Sequence, residues 1–213
     1  MCNPHGGLVG VASERLSLRP VDSLAPEAVL PRLRGNFGRN YRYVDSTPST
    51  QLLLQPGDPE GAVVAAGEQT AGRGRLGRRW LAPAGSSLLF SVQLLPEIES
   101  PRLPELTGVA ARACSEAIEA VTGLAPEVKH PNDVLLGGRK VAGVLAEARE
   151  GRVVLGIGIN VNLAEADLPA DVDRPATSLL VETGRETDRA ELLVELLERL
   201  EHRYRAWLSD EPG

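Results

Sequence analysis

Three apolar runs between residues 134 and 162 are separated by two glycine-bearing turns, and this pattern restricts the fold more than any other part of the chain. The runs at 134–136 and 140–147 meet at Gly137-Gly138, a pair that suits a tight hairpin. A turn at Glu150-Gly151 then leads into 152–162. Turns this short join antiparallel neighbours, because a parallel return needs a dozen or more residues. The segment therefore reads as an antiparallel meander. Further strands are expected at Tyr41-Arg42-Tyr43-Val44, 62–67 and 87–95. Leu106, Val109, Ala110, Ala113, Ala117 and Val121 have helical spacing over 103–121, and Thr122-Gly123 stops that helix. A second long helix spans 188–208, opened by Asp188 with Glu191 as a variant capping box and carrying a leucine stripe. A short helix is expected over 26–33, in an otherwise irregular lead-in of residues 1–40, and there is no internal repeat. Strands, helix, meander, helix is an α+β order with a mixed, largely antiparallel sheet and packed helices, not alternating βαβ.

The chain has 213 residues, enough for one substantial domain. Hydrophobic residues make up 42% but aromatics only 3%, so the core must be leucine, valine and alanine. No run of eighteen apolar residues exists, so no membrane span is expected. The start, Met-Cys-Asn-Pro-His-Gly-Gly, lacks the basic and apolar regions of a secretory signal. Cys2 and Cys114 are too few for a disulfide framework, and Cys114 on an apolar helix face reads as a small core residue. These features indicate a cytoplasmic protein. A formal net charge of -6 argues against general nucleic-acid binding.

On this acidic chain, Gly72, Gly74 and Gly77 alternate with Arg73, Arg75, Arg78 and Arg79, followed by Trp80. Glycines free the backbone to wrap closely around a ligand, and arginines supply planar charged forks for carboxylate and phosphate oxygens. The combination points to an anionic small molecule. The glycines match G-x-G-x-x-G, but no helix follows, as a dinucleotide-binding turn requires. No Gly-Lys-Ser/Thr follows either, so this is not a P-loop. Taken alone, such a cluster also fits a solvated basic loop.

Two other clusters carry chemistry. Lys129-His130-Pro131-Asn132-Asp133 places a lysine at a strand end beside a rigid proline, where its charge can meet a phosphate or carboxylate. Gly143, Gly156 and Gly158 lie inside expected strands, a sign of close approach by a ligand or another backbone. Asn160, in an apolar run, needs a partner for its amide.

Together and in this order, the pieces resemble the catalytic domain of biotin–protein ligases. The family's marks are an early Ser-Thr-Asn, G-R-G-R-x-G-R-x-W, K-W-P-N-D, K-(L/V)-A-G-(I/V)-L-x-E, G-I-G-(I/L)-N and A-T-S-L. Here they stand as Ser49-Thr50-Gln51, 72–80, 129–133, 140–147, 156–160 and Ala176-Thr177-Ser178-Leu179. The resemblance covers about residues 41 to 180. It implies a fold of the class II aminoacyl-tRNA synthetase/biotin ligase type. It implies activation of biotin with ATP and Mg²⁺ to biotinyl-5′-AMP, releasing pyrophosphate, and transfer of biotin to a lysine of a biotin carboxyl carrier protein or domain.

The roles it implies are these. Lys129, Arg73 and Arg75 would serve the reacting carboxylate and phosphate. Ser49, Thr50, Gln51, Gln69, Gly72, Gly74, Gly143 and Gly158 would join them around biotin, the last two letting the ligand approach the sheet. Arg78, Trp80, Asn132, Lys140 and Asn160 would bind ATP, with Trp80 stacked on adenine and Asn160 on its edge; Mg²⁺ ligands are not implied. His130 replaces the usual Trp and reads as a polar packing substitute, and Gln51 replaces the usual Asn. Asp45-Ser46-Thr47 is a competing match to Ser49-Thr50. The catalytic domain would run over 41–213, without the family's SH3-like C-terminal domain. A lead-in this short cannot form a winged helix-turn-helix, so no DNA partner is expected. Lipoate or octanoate ligases and transferases share the fold but usually carry R-R-x-x-G-G-G, and a non-catalytic biotin-binding relative is the third reading.

Overall fold

The computed structural model describes residues 23–97, 102–169 and 174–209, and among these the meander lies in a seven-stranded sheet. Its strands are β1 (Tyr41–Thr47), β2 (Val63–Gln69), β5 (Ser87–Leu94), β6 (Glu127–Lys129), β7 (Asp133–Leu136), β8 (Arg139–Arg149) and β9 (Arg152–Asn160). The spatial order is β1-β2-β5-β9-β8-β7-β6. Only β1 and β2 are parallel; every other pairing is antiparallel. A separate two-stranded ladder joins β3 (Gly72–Arg73) to β4 (Arg79–Trp80). The helices are α1 (Pro26–Val29), α2 (Leu103–Thr122), α3 (Leu179–Thr183) and α4 (Arg189–Ser209). Cys2 and the N-terminal segment read above for a secretory signal lie outside the described residues.

Both turns of the meander are positive-φ pairs: Gly137 and Gly138 at 54° and 77°, Glu150 and Gly151 at 46° and 78°. That geometry matches the twist of the flanking strands and fixes their register. Gly143 therefore sits opposite Gly158, and Leu145 opposite Gly156. Alternation does the rest. Ala142, Val144, Leu155, Ile157 and Ile159 go to the core shared with α2 and α4, while Gly143, Gly156, Gly158 and Asn160 face the other side.

The two long helices close the core. α2 packs on α4 and β8 with Ala110, Ala113 and Ala117 buried, and ends at Gly123 in the left-handed region, whose N–H donates to the Glu119 carbonyl. Cys114 is fully buried, and burial pushes its thiol up to about 12, so it packs as a small hydrophobe. Asp188 Oδ1 accepts the N–H groups of Ala190 and Glu191 at 2.9 and 3.2 Å. Glu191 faces Arg32 at 4.0 Å, so in place of a reciprocal box the helix start is tied to the lead-in. The lead-in is not separate packing: Leu24, Val29, Leu33 and Phe37 belong to the main core. Among the described residues no helix is long and apolar enough to cross a membrane.

Candidate active site

The face of the sheet away from the helices carries a cavity of about 590 Å³. Its floor is bare because the glycines of β8 and β9 lie side by side. A Cβ at Gly158 would stand 2.6 Å from Trp80 Cε2, and one at Gly143 would stand 3.0 Å from Trp80 Cζ3. A Cβ at Gly156 would meet Gln51 Nε2 at 2.8 Å. The strand glycines thus admit two side chains, Trp80 at one end of the floor and Gln51 at the other. Gly143 and Gly158 both line the cavity, and the side chain that approaches the sheet over them is the Trp80 indole.

The Gln51 end is polar. The Thr50 N–H donates to Gln69 Oε1 at 2.8 Å, and the Thr50 and Ser91 hydroxyls lie 2.7 Å apart. Gln51 Nε2 donates to the Leu145 carbonyl at 3.0 Å, while Gln51 Oε1 is buried without a partner. A buried orphan acceptor costs about 1–3 kcal/mol unless a ligand N–H reaches it. Ser49, Thr50, Gln51 and Gln69 all line the cavity. Ser46 bonds Glu68 on the surface and Thr47 bonds the Ser49 carbonyl, so the competing Ser46-Thr47 pair is turned elsewhere.

The other walls are cationic. Arg73, Arg75, Arg78, Arg79, Lys140 and Arg174 line the cavity, and among the described residues the lining's one carboxylate is Asp133. Arg73 pairs with Glu147, which also pairs with Arg149, and Arg149 donates to the Gln51 carbonyl at 3.2 Å. Arg75 donates to Asn132 Oδ1 at 3.1 Å, Asn132 Nδ2 donates to Asp133, and Lys140 pairs with Asp133 at 2.7 Å. The Lys140 ammonium lies 5.8 Å from the Trp80 ring centroid, and Trp80 Nε1 is buried without a partner. Asn160 finds its partner in the Thr177 carbonyl at 2.9 Å and lines the cavity.

Two expected residues are placed apart. Gly72 is buried outside the lining, where a Cβ would stand 2.5 Å from the Trp80 carbonyl, so a glycine there lets β3 close on β4. Lys129 ends the edge strand β6 with an exposed side chain outside the lining, although its ladder partner Asp133 is within it. His130 is exposed as well. Gly74 lines the cavity and donates its N–H to the Arg78 carbonyl at 2.8 Å. Sequence reasoning missed Gly156, Asp133, Arg79 and Arg174 as lining residues. The first three stand inside motifs already singled out, so the signal was present; Arg174 stands outside all of them.

The model of the biotin/lipoate A/B protein ligase family matches residues 42–163. The chain is similar to the bifunctional ligase/repressor BirA of Bacillus spizizenii, with 40% identity over 81% of this chain and 56% of that protein. It therefore spans little more than half the length of that relative. It is also similar to the biotin–[acetyl-CoA-carboxylase] ligase of Mycobacterium tuberculosis, with 38% identity over 84% of this chain and 69% of the relative. Among solved structures it resembles a biotin protein ligase from Aquifex aeolicus in complex with biotin and ATP. That likeness has a TM-score of 0.74 and 36% identity, and covers 81% of this chain and 73% of that one.

Proposed function

This chain belongs to the biotin/lipoate A/B protein ligase family, and on that premise we propose that it is a biotin–protein ligase. It activates biotin with ATP to biotinyl-5′-AMP and passes the biotinyl group to a lysine of a biotin carboxyl carrier domain, in the cytoplasm. The observation that carries this reading is the polarity of one cavity, with an orphan amide acceptor at one end and, among the described residues, six cations against one carboxylate elsewhere. Gln51 Oε1 suits an N–H of the ureido ring of biotin. The dithiolane ring of lipoate has no such donor, which disfavours a lipoate ligase.

A biotin carboxylate oxygen attacks the α-phosphorus and pyrophosphate leaves. Both reactants are anions, so fixed cations around them lower the barrier. Arg73 and Arg75 supply that charge from the β3–β4 hairpin, and Lys129, exposed one strand beyond Asp133, would add its charge by swinging toward the cavity. Arg78 meets phosphate, and Trp80, seated on Gly143 and Gly158, offers its free face to adenine with Asn160 beside the ring. In the second step the carrier's lysine amine attacks the acyl carbon, loses its proton, and AMP leaves. Among the described residues no cluster of three or more His, Cys, Asp or Glu could hold a resident metal. A Mg²⁺ ion carried on nucleotide phosphates needs one or two carboxylates, and Asp133 fits that need. Bound there, the ion would neutralise phosphate charge.

The test is mass spectrometry of the protein incubated with MgATP and either biotin or lipoate. Retained biotinyl-adenylate, with no lipoyl-adenylate, is expected. A protein that binds biotin but neither releases pyrophosphate nor holds adenylate would be a binding relative, and the ligase reading would fall.

A further inference from the structure

Arg174 enters the cavity from a segment that the proposed mechanism does not use. It stands between β9 and α3, two residues before the backbone is pinned to the start of β8. There the Lys140 N–H donates to the Pro175 carbonyl at 2.8 Å, the Thr177 N–H donates to the Lys140 carbonyl at 2.9 Å, and Lys140 and Ala176 form a parallel bridge. That anchoring sets Arg174 at the end of the cavity marked by Lys140 and Asp133.

The neighbouring cations are already engaged: Arg73 by Glu147, Lys140 by Asp133, Arg75 by Asn132 and Arg79 by the Thr70 carbonyl. Arg174 is half-buried in the cavity wall and has no hydrogen bond or ion pair with any described residue. A guanidinium presents five donors in a rigid fork, and holding it partly desolvated without an acceptor is unfavourable unless an anion arrives. The charge of the ligand changes during the proposed reaction. A triphosphate carries several negative charges and the adenylate carries one, so a cation beyond those serving the adenylate has work only while the polyphosphate is present.

Resting on the ligase reading, we propose that Arg174 binds the β- and γ-phosphates of ATP and then the pyrophosphate leaving group, and does not hold the adenylate. It is a binding residue for the first half-reaction alone.

Arg174→Ala and Arg174→Lys test this. The alanine variant should raise the KM for ATP, and the concentration of inorganic pyrophosphate that half-inhibits adenylation, by about tenfold, the size of one lost charge-assisted contact. Lysine should recover part of both. The Kd for biotin and the rate of transfer from supplied biotinyl-5′-AMP should match wild type. Unchanged ATP and pyrophosphate dependence in a variant that still binds biotin would overturn the proposal, and so would an equal loss in the transfer step. Calorimetry with inorganic pyrophosphate separates this inference from the one beneath it. A wild type that binds pyrophosphate through Arg174 yet forms no adenylate would sink the ligase reading and spare the anion site. Equal pyrophosphate affinity in wild type and Arg174→Ala would sink the site.

Discussion

Single residues in this cavity are placed by what their neighbours lack. Trp80 and Gln51 reach the sheet only because three strand positions have no Cβ, and the register that pairs Gly143 with Gly158 makes the bare patch wide enough for an indole. Both side chains keep a buried polar atom unused, Gln51 Oε1 and Trp80 Nε1, which is the mark of groups arranged for a ligand more than for the fold. Lys129 is the opposite case, exposed and held by nothing in the described structure. Its ladder position opposite Asp133 keeps its long stem within a strand's width of the lining. Lys129→Ala should therefore leave the melting temperature unchanged. If the ammonium closes on the reacting phosphate, the same variant should slow biotin-dependent pyrophosphate release by about a hundredfold, roughly 3 kcal/mol of barrier. Near-normal release from the folded variant would remove Lys129 from the mechanism.

The elements divide into those that announce themselves in the sequence and those that exist only through contact. The meander and both long helices were legible because their apolar periods and glycine turns act locally. β6 shows in the sequence only as a strand end at Lys129, since Glu127, Val128 and Lys129 are all exposed and lack alternation; pairing with β7 makes them a strand. The same holds for β3 and β4, two residues each, formed by the close approach of Gly72 to Trp80. The cavity followed the motifs closely, yet Arg174 gave no sign because its placement depends on a backbone bridge to Lys140. The loop between β3 and β4, counted with the strands that flank it, has four arginines and an apolar tip, Leu76, that is 87% exposed at φ 57°. Little core holds it; its ties include Arg73 to Glu147, Arg75 to Asn132, Arg79 to the Thr70 carbonyl, and Trp80 on the sheet. Segments of this kind open readily, and an anion that satisfies several arginines closes them. Limited trypsin digestion should cut at Arg75, Arg78 and Arg79 in the free protein and slow by at least about tenfold with biotin and ATP together. Equal cutting with and without the ligands would count against loop closure.

At the scale of the molecule, six cations gather in one cavity of a chain whose net charge is -6, and acids elsewhere have structural duties of their own. Glu201 has the most consequential of these. Its carboxylate accepts the Asn36 N–H at 2.7 Å, the Phe37 N–H at 3.1 Å and Asn36 Nδ2 at 3.0 Å, and pairs with Arg205 at 2.5 Å. These bonds fasten the lead-in to α4 and seat Phe37 against Tyr204, with ring centroids 5.9 Å apart. Burial acts to raise the Glu201 carboxyl, but the hydrogen bonds from Phe37 and Asn36, with Arg205, outweigh it and hold it below the ordinary carboxylate range. A group depressed in the folded state contributes stability that is complete above its unfolded value and is lost as pH falls through its folded value. Glu201→Gln keeps the shape but removes the charge and turns an amide toward two backbone donors. It should cost about 1–3 kcal/mol at neutral pH. The gap from wild type should narrow as pH falls from neutral through and below the ordinary carboxylate range, as the native carboxyl itself takes up a proton. Urea melts of both proteins across that range measure the gap directly. A difference that stays constant with pH would mean that the shape of residue 201, and not its charge, holds the lead-in to the domain.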